Sequence, residues 1–456
     1  MKVNHKFERL VTGLLIVTLL GGTGCKKSFY TDVNVNPNAP SSVSIVPAVL
    51  LPSIEAAVAY MQGGDLSRFT SLNTQQVNSI LRQAQAFHLY NYNAQDFDNV
   101  WGNIYTDILQ NDDVLLQIAG SKGFHAYSGV ARILRAYTLQ LAVDNWGSIP
   151  YSKALQGATN LKPTFDTDKG LYDTVTHLLD AGIADLNNSD PGALTPGSED
   201  VVYGGNSAKW IKFAHAIKAR VYLHQSKGNP AMATNALSEI ALSFTSNADN
   251  AQYIFGNTET SANPWYQFNE QRTDISFSHG LEATMMIGLK DPRLPILIDT
   301  TDAPGGDRLL YHGVIDAPVE FITYDELLFA TAECVLREGG SLSVAQGFYQ
   351  TAIKANMDKL KVKDADFTVY IAANGVLPVT SIDAAIAQVA VQEYLALYLN
   401  PEAWTLWRRT NSPALTPVTG TNVPRRLLYP QTEYSYNTAN VPASVTIFSP
   451  KIFWDN

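Results

Sequence analysis

The sequence predicts a mostly α-helical fold, in which a degenerate tetratricopeptide-type scaffold of paired helices carries an irregular, loop-rich lobe. Apolar residues recur at three- and four-residue spacing through most of the chain, a pattern typical of amphipathic helices. Two stretches, 245–275 and 291–320, break that spacing and are rich in Asn, Thr, Asp, Pro and Gly, together with aromatic residues. We therefore expect loops mounted on a rigid framework, where ligands commonly bind.

The first half of the chain is the most regular part of the predicted scaffold. Helices are predicted at 46–62, 66–86, 96–120, 127–147, 168–188, 206–229 and 229–243. The fourth of these ends at Gly147, a residue type that often terminates helices. The sixth opens with Asn206 and Ser207, whose side chains suit a helix cap.

Small residues recur on the predicted helical faces and favour close packing between helices. They are Ala131, Ala136, Ala181, Ala184, Ala214, Ala216, Ala219, Ala330 and Ala332. Alanines at helix contacts are typical of tetratricopeptide-type repeats, and the irregular spacing here makes the repeats degenerate. An ordinary helical bundle fits the same pattern.

The second half returns to a helical pattern after the irregular middle. Helices are predicted at 321–339, 341–360 and 382–400, and the end of the chain, 410–456, is mostly loop and extended segments. We therefore expect a single domain at 46–456. Its irregular lobe lies around 245–320 and 410–456.

The N-terminus has the layout of a signal for lipoprotein processing. Three basic residues precede an apolar run at 10–20, and small residues then lead to Cys25. At ~1.5 Å per residue this run is too short to span the ~30 Å hydrocarbon core of a membrane as a helix. We predict a signal peptide at 1–24, lipidation of Cys25 and a polar tether at 25–45. The alternative is an ordinary signal peptide with an incidental cysteine.

Charge and cysteine content exclude several classes of protein. The formal net charge is −10, so the chain has no electrostatic footprint for nucleic acid. It has two cysteines, and lipidation of Cys25 leaves Cys334 without a partner for a disulfide. Cys334 lies within a helical apolar pattern, which predicts a buried, inert thiol.

No standard catalytic or cofactor motif occurs in the sequence. H-E-x-x-H, the P-loop, G-x-S-x-G and C-x-x-C are all absent, so we predict no catalytic residue, no cofactor and no metal. His215 and His224 are interpreted as packing or surface residues. The loops 197–206 and 301–307 contain only a weak pattern for calcium.

Pairs of adjacent acids raise the alternative of an extracellular helical glycoside hydrolase. The pairs are Asp112–Asp113, Glu199–Asp200 and Asp325–Glu326. A glycosidase needs two carboxylates that face each other across a cleft, which adjacency in sequence does not indicate. We interpret these acids as solvated groups on helix surfaces.

Aromatic residues in polar stretches are the candidates for ligand binding. The stretch 263–272, NPWYQFNEQR, is predicted as a loop whose contacts are Asn263, Trp265, Tyr266, Phe268 and Arg272. A sugar offers C–H faces to such rings and hydroxyl groups to amides and guanidinium groups. Tyr90 and Tyr92, in LYNYN, form a second candidate. The alternative is that these rings pack into the core.

Seven stretches together resemble the SusD/RagB family of nutrient-binding outer-membrane lipoproteins. They are CKKSFYTDVNVNPNAP (25–40), ARILRAYTLQLAVDNWGSIPYSKAL (131–155), AKWIKFAHAIKARVYLH (208–224), LKDPRLP (289–295), FITYDELLFATAEC (321–334), QEYLALYLNPEAWTLWRRT (392–410) and RRLLYPQTEYSYN (425–437). Each motif alone is weak, but their order and spacing together are specific.

The resemblance implies a function in nutrient import. Members of the family are not enzymes. They are lipid-anchored on the outer face of the outer membrane and cap a SusC-like TonB-dependent transporter, to which they deliver oligosaccharides or peptides. The family fold has four degenerate tetratricopeptide units, and ligand binds mainly through the irregular lobe. A structural interaction protein without a small ligand is the remaining alternative.

Overall fold

A computed structural model describes residues 46–188, 190–301 and 306–455 of the chain. The predicted signal peptide at 1–24, the lipidation site Cys25 and the tether at 25–45 lie outside the described residues. Within the described residues, every helix is too short or too polar to cross a membrane.

Helices dominate the structure, which confirms the predicted fold class. The N-terminal half contains α1 (Pro47–Met61), a first π-helical segment (Gln62–Leu66), α2 (Ser67–Asn73), α3 (Arg82–His88), α4 (Asp98–Gly102), a second π-helical segment (Asn103–Leu109), α5 (Gln110–Lys122), α6 (His125–Trp146), α7 (Asp168–Asn187), α8 (Ser207–Gln225) and α9 (Ala231–Ile240). The prediction of one continuous helix over 66–86 is wrong. Gln75 adopts a left-handed φ of 63°, which ends α2, and the chain resumes helical form only at α3.

The second half alternates helices with short strands. Its helices are α10 (Pro264–Gln271), α11 (Leu281–Leu289), α12 (Leu294–Leu297), α13 (Tyr324–Arg337), α14 (Leu342–Lys359), α15 (Asp364–Asn374), α16 (Ile382–Ala396), α17 (Glu402–Thr410) and α18 (Gln431–Tyr436). Sequence analysis did not predict α10 or α15. The residues of α10 are polar and aromatic, so their helical period carries little apolar signal.

The strands of the described residues form four antiparallel pairs. They are β1 (Asn78–Ser79) with β5 (Ile275–Ser276), β2 (Ile149–Pro150) with β3 (Phe165–Asp166), β4 (Ala251–Ile254) with β8 (Pro318–Ile322), and β6 (Ile298–Asp299) with β7 (Arg308–Leu309). The pair β1–β5 ties the turn after α2 to the segment after α10. This connection places α10 beside the N-terminal helices.

The scaffold is a stack of helix pairs. Helix α6 packs on α7, α8 on α9 and α13 on α14, and neighbouring pairs meet where α7 touches α8 and α9 touches α13. The closest approach of α6 and α7 is at two glycines: a Cβ on Gly129 would lie 2.9 Å from the carbonyl oxygen of Gly182. Ala184 is exposed, so its predicted role in packing is wrong, and Gly182 takes that place.

Buried ion pairs join the helices of the core. Both carboxylate oxygens of Glu326 on α13 accept hydrogen bonds from Arg220 on α8, at 2.8 Å each. Asp325 and Glu326 are buried, so the interpretation of this pair as solvated acids is wrong. Asp112 is likewise buried, against Arg135 of α6. The arginine charges offset part of the cost of removing these acids from water, and burial still raises the pKa of Asp112 and of Glu326 above its ordinary value.

Cys334 is a free, fully buried thiol on α13, as predicted. Burial raises the pKa of this thiol well above its ordinary value, which disfavours the reactive thiolate. The prediction of an inert cysteine is therefore confirmed.

Candidate ligand-binding cavity

A cavity of about 390 Å³ lies where the N-terminal helices meet α10. Its walls come from the end of α1, the first π-helical segment, α2, α3, the turn before α4 and α10. The side chains that line it include Tyr60, Asp65, Arg68, Phe69, Gln83, Phe87, Asn93, Asp96, Asn99, Gln267, Phe268, Gln271, Arg272 and Asp274. Ligand pockets for small molecules typically measure about 300–1,000 Å³.

The position of α10 follows from its N-terminal cap and one buried hydrogen bond. The side-chain oxygen of Asn263 accepts hydrogen bonds from the backbone N–H groups of Trp265 at 2.7 Å and Tyr266 at 3.3 Å. The Trp265 indole N–H donates to Ser67 Oγ on α2 at 2.9 Å. Phe268 lies one turn after the start of this clamped helix and lines the cavity.

Aromatic side chains form the apolar part of the cavity wall. Phe69 and Phe87 are buried, with ring centroids 5.0 Å apart in an edge-to-face arrangement. Phe268 is half-buried, and the guanidinium carbons of Arg68 and Arg272 lie 4.8 Å and 5.7 Å from its ring centroid. The ring therefore holds two guanidinium groups at the cavity by cation–π attraction.

Most charged groups of the cavity form ion pairs. Arg68 forms an ion pair with Asp65. The buried carboxylate of Asp274 accepts hydrogen bonds from Arg272 Nε at 2.9 Å and from Arg82 Nη1 at 3.2 Å. Asp96 also lines the cavity and accepts a hydrogen bond from the backbone N–H of Asn93 without forming an ion pair. Since the arginines are already paired, the cavity favours an uncharged ligand over an anionic one.

The remaining polar lining consists of amides and one phenol. Tyr60 presents a ring that is 48% exposed, and the side-chain amides come from Gln83, Asn93, Gln95, Asn99, Gln267 and Gln271. Each amide both donates and accepts hydrogen bonds, as does a hydroxyl group. Exposed aromatic area beside such groups suits a ligand with apolar C–H faces and many hydroxyl groups.

Phe268 and Arg272 are the two sequence-predicted residues that line this cavity. The loop prediction for 263–272 is wrong, because residues 264–271 form α10. Trp265 is only 3% exposed, so the prediction that its ring is free to stack on a ligand is wrong. It packs edge-to-face on Phe277 and Phe268, at 5.9 Å and 6.0 Å between centroids.

Asn263 and Tyr266 are also placed away from the cavity lining. Asn263 is buried, and its amide donates to the carbonyl of Ala317 at 3.0 Å besides capping α10. The Tyr266 hydroxyl donates to Glu259 at 3.2 Å. Both side chains thus have structural partners, and neither is directed to a ligand by its contacts.

Tyr90 and Tyr92 serve packing and loop attachment. Tyr90 is 8% exposed, and its hydroxyl oxygen accepts a hydrogen bond from the backbone N–H of Val418 at 3.3 Å. Tyr92 stacks on Phe87 at 5.2 Å and donates to Asn73 Oδ1 at 2.8 Å. Neither residue lines the cavity, so a role for Tyr90 and Tyr92 in ligand binding stays a prediction.

Several cavity residues were missed by sequence analysis. Tyr60 and Arg68 lie in segments predicted simply as helices, and their faces become a cavity wall only where α1 and α2 meet α10. The polar run 91–99, NYNAQDFDN, supplies Asn93 and Asn99. Its density of amides was the one signal in the sequence that could have identified this wall.

One cluster of side chains has the composition of a metal site but is an ion-pair network. One ligand atom each from Asp144, His224 and Glu402 lies within 4.8 Å of the others, and all three residues are buried. His224 Nε2 lies 2.8 Å from Glu402 Oε1 and Nδ1 lies 2.8 Å from the Tyr172 hydroxyl. Burial lowers the pKa of His224, but Glu402 and Asp144 outweigh it and raise the pKa above its ordinary value. The two carboxylates therefore favour the imidazolium form of His224 more than water does.

In the loop 197–206, N–H groups of the protein itself satisfy the hydrogen-bonding capacity of the acid. Asp200 accepts hydrogen bonds from the backbone N–H groups of Val202, Tyr203 and Gly205 and from the Trp210 indole, at 2.7–3.1 Å. Of the other weak calcium candidate, 301–307, residues 302–305 lie outside the described part of the chain.

Comparison with known proteins gives one family and many similar folds. The profile of the SusD-like family, described as starch-binding and associating with the outer membrane, matches residues 37–314 and 307–430. Comparison with curated protein sequences finds no match.

Solved structures share the fold at low sequence identity. A SusD/RagB family protein from Bacteroides thetaiotaomicron is 20% identical with a TM-score of 0.72, and the match covers 90% of this chain and 99% of that one. A chitin-binding protein is 23% identical with a TM-score of 0.74, covering 90% and 100%. A chitin-binding SusD homologue from Flavobacterium johnsoniae is 21% identical with a TM-score of 0.71, covering 90% and 97%.

Proposed function

Because the chain belongs to the SusD-like family, described as starch-binding and associating with the outer membrane, we propose that it is a nutrient-binding lipoprotein of the cell surface. It captures oligosaccharides in the 390 Å³ cavity and delivers them to a SusC-like TonB-dependent transporter. Lipidated Cys25 anchors it, and the tether at 25–45 lets it move over its partner. The chitin-binding and starch-binding descriptions of similar proteins support a glycan as the ligand.

The observation that carries this proposal is the composition of the cavity wall. Rings of Phe268 and the half-exposed Tyr60 lie among six side-chain amides, and Arg68 and Arg272 form ion pairs with Asp65 and Asp274. A carboxylate ligand finds no unpaired arginine among these groups. A neutral sugar chain finds in this wall both the apolar contacts and the hydrogen-bonding groups that it requires.

The site supports binding without catalysis. A glycosidase requires a general acid whose pKa is raised beside the scissile bond. Burial raises the pKa of Glu55 to about 10 and that of Asp112 to about 7, but neither residue lines the cavity. The acids that do line it include Asp65 and Asp274, which are held by arginines.

Substitution of Phe268 tests the ligand site. We expect Phe268→Ala to weaken binding of maltoheptaose or chitohexaose, measured by calorimetry, by ~2 kcal/mol, roughly thirtyfold, because it removes an apolar contact and releases two guanidinium groups. Phe348→Ala is the matched control, since Phe348 is 36% exposed on α14 and lies outside the cavity lining.

Two outcomes contradict the proposed ligand. Binding of neutral peptides with no binding of either glycan assigns the cavity to peptides. Absence of all binding by the folded wild-type protein favours a structural interaction protein.

The partner is tested separately by mild detergent extraction of membranes, in which the protein should co-purify with a large β-barrel through an interface above about 1,000 Å².

A further inference from the structure

Two small cavities lie where β8 meets the end of α16. The larger measures about 30 Å³ and the smaller about 10 Å³. The side chains that line both of them are His312, Glu320, Ala396 and Tyr398. No residue of either cavity lines the 390 Å³ cavity of the proposed ligand. The two small volumes therefore form a separate region, organised around one shared set of side chains.

The 30 Å³ cavity borders the elements that hold α10. Its lining includes Gln62 of the first π-helical segment, the capping residue Asn263 and Trp265. The backbone carbonyl of Glu320 accepts hydrogen bonds from Gln62 Nε2 at 2.7 Å and from Asn400 Nδ2 at 2.9 Å. This carbonyl of β8 is thus satisfied, so the hydrogen bonds still to be made here belong to side chains.

Two buried polar atoms of the shared lining have no hydrogen-bond partner among the described residues. They are Glu320 Oε1 and the hydroxyl oxygen of Tyr398, a residue that is only 4% exposed. Burial, together with the carboxyl groups of Glu282 and Asp307, raises the pKa of Tyr398 well above its ordinary value, so the hydroxyl keeps its proton. Because an unmet hydrogen bond is costly, buried polar atoms of native proteins bind either a protein group or an ordered water.

His312 adds a third polar group to both cavities. Burial and the nearby Lys359 lower the pKa of His312 to about 3, so its ring is neutral. One nitrogen of a neutral imidazole donates a hydrogen bond and the other accepts one. The ring packs edge-to-face on Tyr398, at 6.1 Å between centroids. A molecule that both donates and accepts hydrogen bonds therefore suits this lining.

The charges around the two cavities disfavour an ionic ligand. The Lys359 ammonium group, which lines the smaller cavity, lies 2.8 Å from Glu320 Oε2 and 3.3 Å from Asp325 Oδ1. This ammonium group repels a cation, and the two acids beside it disfavour an anion. The ligand that fits is therefore electrically neutral.

The volume limits the ligand to the size of water. One ordered water needs roughly 10–15 Å³ of such a cavity and makes two to four hydrogen bonds to polar partners. A cavity of about 30 Å³ accommodates one or two waters. A sugar unit or an amino acid is far too large for it.

We propose that the 30 Å³ cavity is an internal hydration site, in which one or two ordered water molecules bind Glu320 Oε1, the Tyr398 hydroxyl group and the His312 ring. The water connects β8 to the turn after α16 through hydrogen bonds that Glu320 Oε1 and the Tyr398 hydroxyl do not make directly. Because the cavity also borders the anchor of α10, the water supports that part of the fold. The site does not depend on the proposed glycan-binding function.

A crystal structure of the folded full-length protein at atomic resolution tests the site directly. We expect electron density for a water within about 2.6–3.2 Å of Tyr398 Oη, and for the same or a second water at this distance from Glu320 Oε1. Six or more oxygen ligands at about 2.3–2.6 Å would identify a cation instead. Such a cation overturns the proposal, as does a cavity without density.

Tyr398→Phe tests the site by the sign of a stability change, measured by urea titration. If the hydroxyl binds water, its removal costs a hydrogen bond, and the folding equilibrium constant should fall about three- to tenfold. If the hydroxyl has no partner, its removal eliminates an unmet hydrogen bond, and the constant should rise. Tyr394→Phe on α16 is the matched control, because the buried Tyr394 hydroxyl donates directly to the Thr74 carbonyl at 3.0 Å. Its constant should fall.

An unchanged or higher urea midpoint for Tyr398→Phe, beside a lower one for Tyr394→Phe, overturns the hydration site. If Tyr398→Phe does not fold, the wild-type crystal structure alone decides. Either negative result leaves glycan binding intact, since the two cavities have no lining residue in common with the candidate ligand cavity.

Discussion

Two aromatic residues three positions apart on α10 have opposite surroundings. Trp265 is inserted between α2 and the segment after α10, and Phe268 remains half-exposed at the cavity. Both rings lie on the same side of α10. The indole N–H reaches Ser67 on α2, whereas the Phe268 ring lies beside the Arg68 guanidinium group at the cavity. The residue identities alone do not distinguish a core ring from a binding ring.

Truncation of Trp265 therefore affects stability. We expect Trp265→Ala to lower the free energy of unfolding by ~3–5 kcal/mol, the usual cost of removing a buried large aromatic ring, measured by denaturant titration. Phe268→Ala is the comparison and should cost markedly less, since its ring is half-exposed. Unchanged stability of Trp265→Ala together with lost glycan binding would restore the tryptophan as a ligand contact.

Glu55 makes stability depend on pH. Burial, reinforced by the neighbouring Asp200, raises the pKa of Glu55 from 4.5 to about 10 in the folded state. Between these values the folded chain holds a proton that the unfolded chain releases, so stability falls as pH rises, by up to ~1.4 kcal/mol per pH unit. Below pH 4.5 both states are protonated and this effect vanishes.

Glu55→Gln tests that dependence. Glutamine keeps an acceptor for the Val201 backbone N–H, which Glu55 Oε2 now binds at 2.8 Å, and it carries no charge at any pH. Urea midpoints between pH 5.5 and 9 should fall less steeply for the variant, which should be the more stable protein at pH 8. Parallel slopes for the two proteins would show that Glu55 is not the titrating group.

At the scale of elements, the scaffold depends on how closely α6 and α7 approach. A Cβ on Gly129 would lie 2.6 Å from Leu186 Cγ as well as 2.9 Å from the Gly182 carbonyl oxygen. Backbone atoms cannot move aside as a side chain can, so these glycines set the spacing of the pair.

Alanine substitutions distinguish the effect of helix–helix spacing on stability from the effect of helix propensity. Gly129→Ala should lower the free energy of unfolding by ~1–3 kcal/mol through overpacking. Gly120→Ala on α5, where an added Cβ meets nothing within 4 Å, is the matched control, and it should raise stability by ~0.5–1 kcal/mol. Chemical denaturation measures both. Stabilisation by Gly129→Ala would mean that the two helices separate readily.

At the scale of the whole molecule, the proposed lipid anchor on Cys25 would decide where the protein acts. We expect Cys25→Ala to leave the membrane fraction, because loss of several acyl chains removes ~0.8 kcal/mol for each buried methylene. Fractionation after a carbonate wash measures this, and Cys334→Ala is the control that retains the anchor. A Cys25→Ala protein that stays in the membrane fraction would contradict lipidation at this cysteine.

The sequence by itself determined the helical class, the positions of the long helices and the family. Apolar periodicity is a local property, so α6, α7 and α8 could be located from their own residues. The order of the motifs along the chain can likewise be recognised without the three-dimensional structure. Cys334 was assigned correctly for the same reason, since its helix has an apolar face.

Only the tertiary structure decided which aromatic residues line a cavity large enough for a ligand. The cavity joins Tyr60 and Arg68 to Phe268 across some two hundred positions of sequence, and the pairing of β1 with β5 creates that proximity. A polar aromatic stretch such as 263–272 contains both kinds of ring. Which ring is buried depends on how α10 packs against α2, and that contact is specified by distant residues.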